Sequence, residues 1–291
     1  INDCKVRRRA LAQITGEFGR PTIACKSHSF AQSYPALYTA DDPDQLRLVS
    51  SETYIDDFYD VMSDVNPRYA IPFGSMVGFL HPDSRSLNDH LVTPAAVVGG
   101  VAARGGIDGT EVVTMAPGDS WQHETGFDRS DFDWYAQRER HLEELTETYQ
   151  PKRVEQAAAE AGRTVDWDAF EHHFGTMVRD GPRVFSRRLA PERFVFHVPS
   201  DGATPYWWVS CTSRAVGRDS KLPADRSGLT IVPEAVLADA IRDRLVHLVH
   251  GSMRIRTVLA DDGIESDLGC WGRLMLWERG YLRVRRSARH P

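Results

Sequence analysis

Hydrophobic spacing along the chain changes character twice. Between residues 52 and 65 the apolar side chains Tyr54, Ile55, Phe58, Val61, Met62 and Val65 recur at three- and four-residue intervals, which predicts an amphipathic helix. Asn66-Pro67 ends it, because the proline ring crowds helical geometry in the residue before it. Short apolar runs flank this segment. Pro21-Thr22-Ile23-Ala24-Cys25 predicts a buried strand entering the polar loop Lys26-Ser27-His28-Ser29. Arg68-Tyr69-Ala70-Ile71-Pro72-Phe73 predicts a second strand entering Gly74-Ser75-Met76-Val77-Gly78. A helix followed by a strand into a small-residue loop is half of an α/β unit. Ligands in layered folds of that kind sit beyond the strand ends.

From residue 126 to residue 182 the chain becomes a charge-rich helical run, with Pro151 and Gly162 as breakers. After residue 183 it turns α+β. FVFHV and YWWVSC read as strands, and residues 232–249 carry Val236, Leu237, Ile241, Leu245 and Leu248 at helical spacing behind Pro233. Val258 and residues 271–282 close the chain. Three segments are therefore expected: 1–125, 126–182 and 183–291. No internal repeat is visible.

Composition excludes some classes. With 26% charged and 41% hydrophobic residues, the chain is globular rather than disordered, fibrous or collagen-like. The net charge of -6 gives no general pull toward nucleic acid, and the basic stretch at residues 283–290 reads as a solvated tail. No apolar run approaches the ~18 residues that span a bilayer. Cys4, Cys25, Cys211 and Cys270 are scattered, which suggests free thiols in a reducing, cytoplasmic setting. The first residue is Ile1, so the expectation is a chain entered part-way through a longer protein.

Several residues could carry chemistry. Asp3 stands at an expected strand-to-loop transition, and His81 follows a loop of small residues. His28, Ser29 and Tyr34 offer donors and an aromatic face just beyond a strand end, where a substrate could be held. Phe73, Gly74 and Ser75 form a second such edge, with glycine permitting close backbone approach. Asp119 reads as a turn cap with Trp121 as a packing anchor. Glu171-His172-His173 reads as a solvated helix face, while His247/His250 reads as structural and Trp207-Trp208 as the core of a small sheet. No dinucleotide fingerprint, Walker loop or nucleophile elbow is present.

Five short motifs occur in one order: Asn2-Asp3-Cys4, residues 27–35, Asn66-Pro67-Arg68-Tyr69, Ile71-Pro72-Phe73-Gly74 through His81-Pro82, and Pro117-Gly118-Asp119-Ser120-Trp121. The series, over residues 1–125, resembles the second half of a metallo-β-lactamase-fold protein. It is most similar to the CMP-N-acetylneuraminate hydroxylase branch, and more distantly to the phospholipase D-like and ascorbate-phosphate lactonase branches. The resemblance implies an α/β fold: the second half of an αββα sandwich, followed here by a helical segment and a small α+β C-terminal domain. It also implies two divalent metal ions, zinc or iron, with Asp3 bridging them and His81 completing the second metal sphere.

The family's His-x-His-x-Asp-His cluster should precede Asp3, and none of the eleven histidines has that spacing. Two ligands cannot hold a dinuclear centre, so the rest are expected from a missing N-terminal half or a partner chain. What the resemblance implies is a metal-dependent hydrolase acting on a small-molecule substrate, with a metal activating water. The alternatives are an iron-dependent, O2-activating monooxygenase and a non-catalytic binding or scaffold protein. No Rieske Cys-x-His and Cys-x-x-His pair occurs to supply electrons to the oxygenase. Homo-oligomerisation is open, and neither nucleic acid nor membrane is an expected partner.

Overall fold

Alternating strand and helix periodicities in the first part of the chain produce a parallel sheet. A computed structural model describes residues 8–30, 36–40, 46, 51–74, 77–131, 135–181 and 193–282. The protein is mixed α/β with several sheets. It divides into two compact units, one of Ile1–Ala31 with Leu48–Pro151 and one of Gln32–Arg47 with Lys152–Pro291. The elements begin α1 (Arg8–Phe18), β1 (Ile23–Lys26), β2 (Tyr38–Ala40), α2 (Ser51–Val65), β3 (Tyr69–Pro72) and α3 (Pro94–Ala103). Then come β4 (Glu111–Val112), β5 (Ser120–Gln122), β6 (Gly126–Asp128), α4 (Arg138–Thr148), α5 (Gln150–Glu160) and α6 (Trp167–Asp180). The rest are β7 (Arg193–His197), β8 (Tyr206–Ser210), β9 (Ala215–Asp219), β10 (Arg226–Ile231), α7 (Glu234–Asp243), β11 (Arg256–Leu259) and α8 (Ile264–Glu278).

In the first unit β1, β3 and β4 lie side by side and parallel, with Ile23 opposite Tyr69 and Tyr69 opposite Glu111. The strand and helix read at residues 21–25 and 52–65 are β1 and α2, and the second strand is β3. α2 buries Ile55, Phe58, Met62 and Val65 against Leu11, Ala24, Ala70, Val97 and Val101. Burying a side chain the size of Phe58 or Met62, both at 0% exposure, stabilises by roughly 1.5–3 kcal/mol each. α3 can approach α2 because residue 100 is glycine: a Cβ there would meet Ile55 Cγ2 at 2.6 Å. Arg20 closes the bottom of the sheet. Its Nε donates to the Asn66 carbonyl at 2.8 Å and Nη2 to that of Pro67 at 3.0 Å, so it binds carbonyls left free where α2 ends.

The second unit has a six-stranded mixed sheet in the order β2-β11-β10-β7-β8-β9. FVFHV and YWWVSC are strands, as expected, and form β7 and β8. Phe194, Val195, Phe196 and Trp207 are buried there, and Phe170 of α6 sits edge-on to Phe196 and Trp207 at 5.5 and 5.1 Å. Tyr38 belongs to β2, where its hydroxyl donates to the buried Asp267 carboxylate at 2.9 Å. Among the described residues Cys25, Cys211 and Cys270 form no disulfide. Among the described residues no helix is long and apolar enough to cross a membrane.

One expected helix is shorter than its apolar spacing predicts. Residues 232–249 do not form a single helix: α7 stops at Asp243, Arg244 turns left-handed at φ 57°, and a 3-10 helix follows at Val246–Ser252. The cause lies on α8. The Glu278 carboxylate, with 0% side-chain exposure, accepts the backbone amides of Val246 at 3.0 Å and His247 at 2.8 Å. It therefore caps a new helix start, which requires the old helix to have ended. The same carboxylate bonds His247 Nδ1, which has the structural role expected of it, and lies 3.0 Å from His173 Nε2. His173 is buried rather than on the solvated face expected, because it sits against Glu278 and Trp277 of α8.

Burial pushes the Glu278 carboxyl up, but the bonds from His173, His247 and the two amides outweigh it, and its pKa lies below the ordinary 4.5. A depressed carboxylate contributes stability above its unfolded pKa and loses it as pH falls through the folded one. Glu278→Ala is expected to cost about 3–5 kcal/mol in urea denaturation at pH 7, because two histidines and two amides lose a shared partner. The gap between variant and parent should shrink once the pH drops below about 4.5. A gap that is small at pH 7, or independent of pH, would contradict this role.

Candidate functional site

The carboxyl ends of β1 and β3 emerge side by side. The Phe73 amide donates to the Lys26 carbonyl at 2.8 Å, which carries the pairing one residue past β3 and sets Phe73 next to the β1 exit. Gly74 then turns at φ +69°, a conformation that disfavours any side chain. Phe73 is 55% exposed, so this edge presents an aromatic face to solvent.

The β1 exit is polar in sequence and buried in fact. Lys26, His28 and Ser29 are 6%, 1% and 6% exposed. Lys26 reaches the Asp57 carboxylate on α2 at 2.5 Å. Ser29 Oγ accepts the Val92 amide at 3.0 Å, tying this loop to the chain just before α3. His28 has no hydrogen-bond partner of good geometry at either ring nitrogen. Burial lowers its pKa to about 4; the Phe73 backbone nearby opposes this and the Lys26 charge adds to it. The imidazole is therefore neutral at pH 7, with one nitrogen able to accept and one able to donate. A neutral buried ring in that state can hydrogen-bond a ligand or coordinate a metal.

His81 lies on residues 77–84, a loop that two contacts hold near the same place. Phe79 stacks with Phe30 at 6.1 Å, so this loop meets the one carrying His28 and Ser29. Asn88 then clamps Phe79 from both sides, with Nδ2 donating to its carbonyl at 2.8 Å and Oδ1 accepting its amide at 3.0 Å. The His81 ring is partly exposed, and its Nδ1 accepts the Asp83 amide at 3.2 Å. Asn88 and the Phe30–Phe79 pair position the loops without having been read from sequence. Nothing in a single sequence marks an Asn nine residues from the backbone it holds.

A cavity of about 470 Å³ opens past the carboxyl end of β4. Residues 114–116, Phe127, Arg129 and Tyr135 line it, together with Ala95 in the first turn of α3. Asp119 shapes its wall. The carboxylate accepts the Ala116 amide at 2.8 Å and the Ser130 amide at 2.9 Å, which agrees with its reading as a turn cap. Trp121 contacts Phe127 at 6.4 Å, and Phe127 packs edge-on to Tyr69 of β3.

The structure thus brings together His28, Ser29, Phe73 and Gly74, with the His81 loop docked through Phe30. Asp3, Tyr34 and Ser75 lie outside the described residues. Among the described residues no group of three or more His, Cys, Asp or Glu side chains is arranged to hold a metal ion.

An unpartnered buried imidazole is a cost to the fold, which gives a test. His28→Leu is expected to leave stability at pH 7 unchanged or raise it by about 1 kcal/mol, because an apolar side chain needs no partner. A histidine with a depressed pKa contributes stability above its unfolded value of 6.5 that is lost as pH falls toward about 4. The Leu variant should therefore lose less stability on acidification than the parent, by an amount on the order of 3 kcal/mol between those limits. Strong destabilisation at pH 7 would show that His28 is satisfied in the fold. No protein-family model, curated protein or solved structure matched the chain.

Proposed function

We propose that the chain carries part of a dinuclear-metal enzyme of the metallo-β-lactamase superfamily, a hydrolase that takes a small-molecule substrate at the carboxyl edge of the β1–β3–β4 sheet. The observation that carries this reading is His28, a neutral imidazole at that edge with both nitrogens buried beside the Phe73 backbone and neither in a hydrogen bond of good geometry. Buried polar atoms in folded proteins almost always have partners, and exceptions gather where a ligand supplies one. Parts of two of the ordered motifs, residues 27–30 and Ile71-Pro72-Phe73-Gly74, lie at the ends of β1 and β3 at this edge, which supports the reading.

The roles of this chain's residues in that reading follow from their positions. His28 gives or accepts one hydrogen bond to the substrate, and Phe73 covers its apolar part. Gly74 lets backbone approach closely, while Ser29 and Asn88 hold the loops in place. Asp3 and His81 are the ligands this chain contributes to two divalent ions, zinc or iron. The other ligands come from outside it. Because the described residues complete no metal centre, no step of the reaction is assigned to them beyond holding the substrate.

Metal analysis of the protein isolated in full from its source cells tests the proposal. The expected content is about two equivalents of zinc or iron per chain. Asp3→Ala and His81→Ala should each lower it while the circular dichroism stays that of the parent. Unchanged metal content in both variants, or no bound metal in the parent, would overturn the ligand assignment.

A further inference from the structure

The second unit contains a cavity of about 310 Å³ whose lining differs in kind from the strand-end site. It lies among α6, the end of α7 and α8, and its walls come from Ala169, Ile241 and Trp277. His172, Thr176 and Arg244 add polar groups, and no carboxylate belongs to the lining. His173, nine-tenths buried, forms one side and is fixed there by its approach to Glu278.

The two arginines at the cavity are in different states. Arg242 is committed, with Nη1 on Asp239 at 2.7 Å and Nε on Asp243 at 2.8 Å. Arg244 makes no ion pair among the described residues, and its guanidinium lies over the Trp277 ring at 4.5 Å from the centroid. Stacking on an indole fixes the plane of a guanidinium without using its N–H groups, which stay directed outward in that plane. This is the arrangement in which arginine recognises a carboxylate with two parallel hydrogen bonds.

We propose that this cavity binds a compact organic carboxylate. The Arg244 guanidinium takes the carboxylate, and the apolar body rests against Ile241, Ala169 and the edge of Trp277. Thr176 and His172 are placed to donate to the ligand's remaining oxygen lone pairs. A cavity of this size is at the lower end of those that hold small ligands, which limits the body to about one or two rings. The site is independent of the hydrolase reading and involves none of its residues.

Calorimetric titration of the full chain with benzoate, and with benzamide as a neutral molecule of the same shape, tests this. Benzoate is expected to bind one to one, and benzamide at least about tenfold more weakly. Arg244→Gln, an exposed position, should weaken benzoate about tenfold and leave benzamide unchanged. Ala169→Trp, also exposed, should block both ligands by filling the cavity. Equal affinity for benzoate and benzamide overturns the proposal, as does a benzoate affinity indifferent to Arg244→Gln. Absence of saturable benzoate and 1-naphthoate binding to the parent chain does the same. Should Arg244→Gln fail to fold, the two ligands and Ala169→Trp still decide the matter.

Discussion

A polar group withdrawn from water must find a partner inside the protein or weaken the fold, and this chain answers that demand in two opposite ways. Glu278 is the satisfied case. Three hydrogen bonds and the approach of His173 at 3.0 Å converge on one carboxylate with 0% side-chain exposure, and its position decides where α7 ends and where the next helix begins. His28 is the unsatisfied case, with both ring nitrogens buried and neither in a hydrogen bond of good geometry at the edge of a parallel sheet. The difference between the two places points to His28 as the position where the partner comes from elsewhere.

The first unit shows how that position is held. Parallel pairing brings the β1 and β3 exits together, and the Phe73–Lys26 hydrogen bond keeps them together one residue beyond the sheet. Phe30 and Phe79 then join the loop bearing His81 to the loop bearing His28 and Ser29. Apolar stacking, backbone hydrogen bonds and the Ser29 hydroxyl position these loops.

Much of the local structure was legible because local periodicity decides it. The apolar spacing from Tyr54 to Val65 is α2, and the runs at residues 21–25 and 68–73 are β1 and β3. Contacts distant in sequence were not legible. The apolar positions Leu245 and Leu248 continue the helical spacing of α7, yet a carboxylate some thirty residues further on ends it. Tyr38–Ala40 pairs with β11 across more than two hundred residues, so the chain leaves β1 in one unit and enters β2 in the other. The candidate site was half visible. His28 and Ser29 were readable as polar residues beyond a strand, but the string Lys26-Ser27-His28-Ser29 looks solvated, and its burial comes from α2 and the residues before α3. Asn88 and Phe79 carried no chemical signal at all, since their work is done through backbone groups and stacking.

The claim that His28 is a neutral imidazole awaiting a partner can be read directly from its ring nitrogens. Imidazole 15N spectroscopy of the full chain, with His28 identified by its absence in His28→Leu, follows its charge across the acid range. One protonated and one bare nitrogen at pH 7, titrating only near pH 4, is the predicted result. A ring that titrates near the ordinary value of 6.5, or that is charged at pH 7, would contradict it.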